Sequence, residues 1–279
     1  MDTFIYHHIP ALGTTCEIWY ASSKQDFELE YLFDSEILDF ETKFSRFYGE
    51  SLLSKFNKTP IGQKYNLEPE FGLLFGKTIN WMKITEGVFN PFILPSLYEI
   101  GYSKSFVQNK FAENSLKVDG SDYPQSLYAI NDYLEVGDDY LKKLKPIFLD
   151  FGGIGKGYLT DKLVEKIKNI YPEFSISLGG DLYVFSKLGI AIDISDEKNN
   201  VLKSINLINC AAATSSTSKR VFNDKNHIID PRTKQPLTQT KHKQVTVIAN
   251  LTEEADILAK TLLLDPEFKS ELILDKYLF

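Results

Sequence analysis

The segment Asp150-Phe-Gly-Gly-Ile-Gly-Lys-Gly-Tyr-Leu-Thr-Asp161 sets four glycines and a lysine ahead of a helical pattern. Such a turn lets backbone N–H groups approach a phosphate, and a helix N-terminus adds partial positive charge there. Lys156 adds a full charge. The same glycines could serve close strand–helix packing instead, so the segment alone leaves both readings open. It is not a Walker A loop, because Lys156 is followed by Gly157 and not by Ser or Thr, and its spacing is not that of a Rossmann fingerprint. His227 precedes Ile-Ile-Asp-Pro-Arg, and an imidazole titrates in the range that proton transfer needs. Asp256 and Lys260 share a helix face at i, i+4, where an ion pair can form. On spacing alone Asp256 reads as an exposed helix acid.

These residues need elements to position them. The apolar run from Pro146 to Phe151 predicts a strand. The glycine turn follows, then a helix burying Leu159, Leu163, Val164, Ile167 and Ile170 at period 3.6. Residues 3–9 and 14–21 alternate and carry β-branched and aromatic side chains, so both predict strands. Phe33, Ile37, Phe40 and Phe44 form one stripe of a helix over about 24–46. Residues 70–85 predict a second helix with Leu74, Ile79 and Met82 inward, and another begins near Pro95. Strand-like runs occur at 115–119 and 126–136, with further strands at 189–194, 203–209 and 245–249. A last helix starts at Thr252 as N-cap, with Glu253 and Glu254 in its first turn. The expectation is an α+β fold with mixed β-sheets and helices packed on them.

The 279 residues suit one large domain or two packed subdomains. An apolar content of 43% and an aromatic content of 13% supply a core, and the net charge of −7 argues against a nucleic-acid partner. No apolar run is long enough for a membrane span. Cys16 and Cys210 are too few for a disulfide scaffold and read as small buried residues. Residues 1–12 show neither a basic nor a long apolar leader region, so the expected location is cytoplasmic, or exported if a leader has been trimmed.

Other stretches join the glycine turn in order: Gly13-Thr-Thr15, Ser45-Arg-Phe-Tyr-Gly-Glu-Ser51 with Phe56-Asn57, Thr85-Glu-Gly-Val-Phe-Asn90, Leu178-Gly-Gly-Asp181, Ala213-Thr-Ser215, His227-Ile-Ile-Asp-Pro-Arg-Thr233, Val245-Thr-Val-Ile-Ala249 and Ala255-Asp-Ile-Leu-Ala-Lys260. The ordered set resembles the FAD:protein FMN transferase family, the ApbE-type flavin transferases, over about residues 10–265. The resemblance implies one ApbE-like domain over 1–279, made of two subdomains with the flavin nucleotide in the cleft. It implies transfer of FMN from FAD to a Thr or Ser hydroxyl of an acceptor flavoprotein, with AMP released and Mg²⁺ assisting. An FAD pyrophosphatase and a non-catalytic FAD-binding protein are the alternatives.

Residue by residue, the resemblance makes His227 the proton acceptor and Asp256 the catalytic carboxylate. Asp256 and the Gly153 carbonyl match metal ligands. Leu12, Phe47, Val88, Phe89, Asn90, Asp150, Lys156, His227 and Ile228 match FAD-lining positions. Four positions depart from the pattern, one of them Asn90, which replaces a usual aspartate and removes one charge near the nucleotide. Lys260 stands where the family carries a metal-facing threonine, which puts the Mg²⁺ site in doubt, because an ammonium is no ligand. Phe47 replaces a stacking tyrosine and keeps its face. Lys234 replaces the glycine that follows the Arg-Thr pair.

Overall fold

The computed structural model describes residues 3–103, 122–218, 221–222, 224–238 and 240–279; the strand-like run at 115–119 lies outside them. Contacts divide the chain into two compact units. The first comprises Met1–Glu41, Ile154–Lys219 and Lys241–Phe279, and the second Thr42–Gly153 and Arg220–Thr240. The class is α+β as expected, and every strand pairing among the described residues is antiparallel.

The first unit is built on a seven-stranded sheet. Its spatial order is Thr3–Ala11, Thr14–Ser22, Phe174–Leu178, Asp181–Phe185, Cys210–Ser216, Gln244–Ala249 and Asp275–Leu278. The first two strands meet at Leu12 and Gly13, with φ of 54° and 70°. Two left-handed residues match the twist of a two-residue hairpin. Glycine adopts that backbone freely, whereas leucine does so at a cost of about 1–2 kcal/mol. The Leu12 N–H donates to Glu41 Oε1 at 2.8 Å, which holds the strained residue in place. Cys16 and Cys210 are buried free thiols, and burial pushes Cys16 up to about 12. Neither is placed to act as a nucleophile.

Two helices, Gly155–Ile167 and Thr252–Leu264, pack on this sheet and on each other. Small residues permit the close approach: Ala211, Ala213, Ala249 and Ala255 form one buried cluster. At the helix crossing, a Cβ on Gly157 would lie 2.6 Å from Glu253 Cα, 2.8 Å from Glu253 N and 2.9 Å from Thr252 O. Gly157 therefore serves helix–helix contact, where the sequence suggested a phosphate cradle or strand–helix packing.

Thr252 is the first helical residue and not the N-cap, which is Leu251. The cap comes from the neighbouring helix, where Asp161 Oδ1 accepts from Thr252 N at 2.7 Å and Oδ2 from Glu253 N at 2.9 Å. Burial raises the Asp161 carboxyl from 3.8 to about 6, against the opposing effect of those two bonds. A raised folded-state value means that the stability it contributes is present below 3.8 and lost as pH rises through about 6. The stability difference between wild type and Asp161→Asn is therefore expected to shrink across that window, by up to about 1.4 kcal/mol per pH unit. Urea melts of both proteins at closely spaced pH values measure it, and a flat difference would contradict the burial argument.

Pro172 follows Tyr171 and disfavours helix before it. The Gly155 helix accordingly stops at Ile167, and Ile170, expected on its buried face, is exposed. The predicted stripe of Phe33, Ile37, Phe40 and Phe44 is buried along the helix Phe27–Phe44. No described helix is long and apolar enough to cross a membrane.

In the second unit, helices Leu52–Lys58, Pro69–Ile84 and Leu94–Glu99 surround an aromatic core of Phe44, Phe56, Tyr65, Phe71 and Phe151. Lys64–Asn66, Tyr140–Lys143 and Leu134–Val136 form a three-stranded sheet. The predicted strand 126–136 is instead a 3₁₀ turn, Leu127–Asp132, with a three-residue strand after it. Its first half lacks an alternating apolar face, and Tyr128 is exposed.

Residues 147–151 are buried and Pro146 is exposed, but the run is not a strand. Pro146 has no N–H to give. The Asn57 side chain takes the place of a neighbouring strand: its Oδ1 accepts from Leu149 N and its Nδ2 donates to Leu149 O, at 2.8 and 2.9 Å. Asp150 N donates to Pro91 O at 2.8 Å. The run is apolar because it is buried, and its backbone is satisfied without a ladder.

Candidate active site

The first unit gathers four charged side chains. Lys156 enters on the first turn of the Gly155–Ile167 helix, Asp181 where a strand leaves the Leu178-Gly-Gly turn, and Asp256 and Lys260 on one face of Thr252–Leu264. Gly179 and Gly180, with φ of 70° and 97°, make the turn that delivers Asp181. Lys156 Nζ donates to Asp181 Oδ2 and lies 3.8 Å from Asp256 Oδ2. Lys260 Nζ donates to Asp256 Oδ1 and lies 3.3 Å from the Asp256 carbonyl.

The side chains of Asp256 and Asp181 are 3% and 5% exposed, against 16% for Lys156 and 21% for Lys260. The carboxylates form a floor and the ammonium groups lie on its solvent side. Burial, then the neighbouring Asp256 charge, holds the Asp181 carboxyl above its ordinary range, with Lys156 and Lys260 opposing both. A positive surface over a buried negative floor suits an anion with several oxygens, such as a diphosphate.

The other first-unit residue expected to line the nucleotide is Leu12, at the strained hairpin turn. Left-handed non-glycine backbone persists where surroundings over-determine it, and it clusters at ligand sites.

The second unit holds a cation–aromatic cluster. Arg46 lies with its guanidinium 4.5 Å from the Phe47 ring centre and 4.2 Å from that of Tyr102. Its NH1 donates to Asp150 Oδ1 at 2.9 Å. Burial opposes the charge on Arg46, but Asp150 outweighs it and the guanidinium is held above its ordinary range. The His227 ring stands edge-on to Tyr102, with centres 6.4 Å apart. The Tyr98 hydroxyl is buried without a hydrogen-bond partner among the described residues. Arg46 thus links Phe47 and Asp150, and Tyr102 links that pair to His227.

Val88, Phe89 and Asn90 follow a sharp turn at Gly87, whose added Cβ would lie 2.5 Å from Gln125 O. The Asn90 amide is committed to that loop: Nδ2 donates to Pro124 O and Oδ1 accepts from Phe92 N, at 2.8 and 2.9 Å. Ile228 is buried, and its N–H donates to Asn226 Oδ1 at 2.9 Å. Gly153 is half-buried in the turn before the Gly155 helix.

Arg232 clamps Asp230 through Nε and NH2 at 2.9 and 2.8 Å, which shapes the turn after His227. Lys234 keeps a left-handed φ of 61°, so the lysine occupies a backbone suited to glycine. Its Nζ pairs with Asp122 Oδ1 at 2.7 Å.

Sequence reasoning assigned no role to Arg46, Tyr98, Tyr102 or Asp181. Arg46 and Asp181 lie inside motifs already quoted, and their charge in otherwise apolar or glycine-rich company was the available signal.

The Mg²⁺ implied by resemblance does not fit the donors at Asp256. Both carboxylate oxygens face ammonium groups, Oδ1 in contact with Lys260 and Oδ2 near Lys156. One turn after Asp256, Lys260 offers an ammonium and not an oxygen. Among the described residues no group of three or more His, Cys, Asp or Glu side chains is gathered for a metal ion.

Comparison with known proteins follows the same lines. The ApbE family model matches residues 12–277. The FAD:protein FMN transferase of Haemophilus influenzae is 24% identical, over 95% of this chain and 82% of its own length. That of Klebsiella pneumoniae is 30% identical over 64% of this chain and 53% of its own length. Among solved structures, the apo flavinyl transferase ApbE of Pseudomonas stutzeri has a TM-score of 0.76 at 21% identity, covering 94% of this chain and 84% of that one. The ApbE protein of Thermotoga maritima has a TM-score of 0.76 at 23% identity, covering 94% and 87%.

Proposed function

Because the chain belongs to the ApbE family, we propose that it transfers FMN from FAD to a Thr or Ser hydroxyl of an acceptor flavoprotein. The carrying observation is the family match across residues 12–277, which takes in both charged clusters. The acceptor oxygen attacks the FMN-side phosphorus. The bond from that phosphorus to the bridging oxygen breaks, and AMP leaves with that oxygen. The acceptor's proton passes to His227, whose turn is shaped by the Asp230–Arg232 clamp.

Lys156 and Lys260 offset the charge that builds on the departing phosphate, a term that dominates when a nearly dissociated phosphoryl group moves. Phe47 offers an aromatic face to the isoalloxazine, and Arg46 and Asp150 fix that ring's position. Leu12, Val88, Phe89, Asn90 and Ile228 line the nucleotide. Asp256 holds Lys260 in place and, with Asp181, forms the floor beneath the lysines. No step is assigned to Mg²⁺ or to the Gly153 carbonyl, because the Asp256 oxygens already face two ammonium groups.

Incubation of the purified protein with FAD and a panel of acceptor domains bearing candidate Thr or Ser sites, read by intact-mass spectrometry, is expected to add one FMN group to an acceptor and to release AMP. FMN and AMP formed with no acceptor labelled would make the protein a pyrophosphatase. FAD bound but unconsumed would make it a binding protein.

A further inference from the structure

We propose that the Lys260 ammonium is a built-in cation that stands in for a divalent metal beside Asp256, so that this chain engages a dinucleotide diphosphate without metal. The proposal rests on the FAD reading above. The first support is the contact itself: Lys260 Nζ donates to Asp256 Oδ1 and also lies 3.3 Å from the carbonyl of the same residue. Two acceptors on one helical turn hold a flexible four-carbon stem in one place.

Charge is the second support. Among the described contacts, Lys156 and Lys260 offset the charges of Asp181 and Asp256. A divalent ion at Asp256 would add two positive charges within a few ångströms of both ammonium groups, and like charges at that range repel strongly in a poorly solvated site. Lysine could relieve this only by abandoning its carboxylate or by giving up its proton, each at a cost.

Coordination is the third. Mg²⁺ takes near-octahedral oxygen ligands at about 2.0–2.1 Å. Of the Asp256 oxygens only Oδ2 lacks a hydrogen-bond partner among the described residues, and Lys156 Nζ lies 3.8 Å from it. An ammonium has three N–H donors. Lys260 points two at Asp256 and has one to give to a phosphate oxygen from the solvent side of the floor.

Mn²⁺, read by electron paramagnetic resonance on flavin-free protein, serves as the metal probe, and fluorescence quenching reports FAD binding in EDTA. Wild type is expected to bind FAD in EDTA and to bind Mn²⁺ no tighter than about millimolar. Lys260→Thr, which places a hydroxyl one turn after Asp256, is expected to bind Mn²⁺ at least about tenfold tighter. It should lose about tenfold in FAD affinity in EDTA and regain it with Mn²⁺. Lys260→Met, with neither charge nor hydroxyl, should lose the same affinity and regain nothing; circular dichroism verifies that both variants are folded.

Micromolar Mn²⁺ binding by wild type that Lys260→Thr leaves unchanged would overturn the proposal. So would wild-type FAD binding that appears only with Mn²⁺. If no variant binds FAD with or without metal, the FAD reading fails, and the Mn²⁺ titration of flavin-free protein still decides whether Lys260 excludes metal from Asp256.

Discussion

Gly157→Ala is expected to cost the protein roughly 3–5 kcal/mol, at the high end for a single substitution, and to lower its melting temperature by on the order of 10 °C. The added methyl would meet three backbone atoms of Thr252 and Glu253 at 2.6–2.9 Å. No side-chain rotation relieves a clash with backbone, so the helices Gly155–Ile167 and Thr252–Leu264 must move apart. That movement breaks the Asp161 cap and separates Lys156 from Asp256, so phosphate handling should fail in whatever fraction still folds. Gly76→Ala is the control. It lies in the helix Pro69–Ile84 with no atom within 4 Å of an added Cβ. It should be neutral or stabilising by about 0.5–1 kcal/mol. Thermal melts of the two variants compare them directly, and equal midpoints would show that the helix crossing is more yielding than its geometry implies.

The second large effect is kinetic. His227→Ala is expected to slow FMN transfer by about 10²–10⁴-fold, the usual cost of removing a general base, while FAD affinity changes little. The ring stands against Tyr102 on a turn fixed by Arg232 and Asp230, so its loss should leave the loop intact. Single-turnover AMP release reads the loss in rate, and equilibrium titration with FAD reads the affinity. A variant with near-normal turnover would move the proton to another acceptor.

Periodic signals were legible in the sequence. The Phe33, Ile37, Phe40, Phe44 stripe and the alternation over residues 3–9 and 14–21 each reduce to one element burying one face. The i, i+4 pairing of Asp256 with Lys260 was legible for the same reason. What escaped was satisfied by partners distant in sequence. The run 146–151 looks like a strand because it is apolar, yet Asn57 takes its hydrogen bonds. Thr252 looks like an N-cap, yet Asp161 supplies the cap from another helix. Arg46 gave no hint of lying against both Phe47 and Tyr102, because Tyr102 and its partner carboxylate Asp150 are distant in sequence. Lys234, which replaces a glycine of the family pattern, holds a glycine-type backbone with φ of 61°.

The first unit's sheet has a consequence for how the protein is made. The strand Thr14–Ser22 pairs with Phe174–Leu178, Cys16 opposite Leu178, and Cys210–Ser216 is completed by Gln244–Ala249. Residues Thr42–Gly153 belong to the second unit and leave the ribosome before that first pairing is possible. The amino-terminal hairpin therefore waits with one edge open, a template for other chains until its partner strand arrives. Pairings of such long sequence separation close slowly. The helix Thr252–Leu264, which carries Asp256 and Lys260, is synthesised after the elements that carry Lys156 and Asp181. The charged cluster thus forms only once this helix has been made, and a chain that stops short of it has no assembled site with which to capture nucleotide.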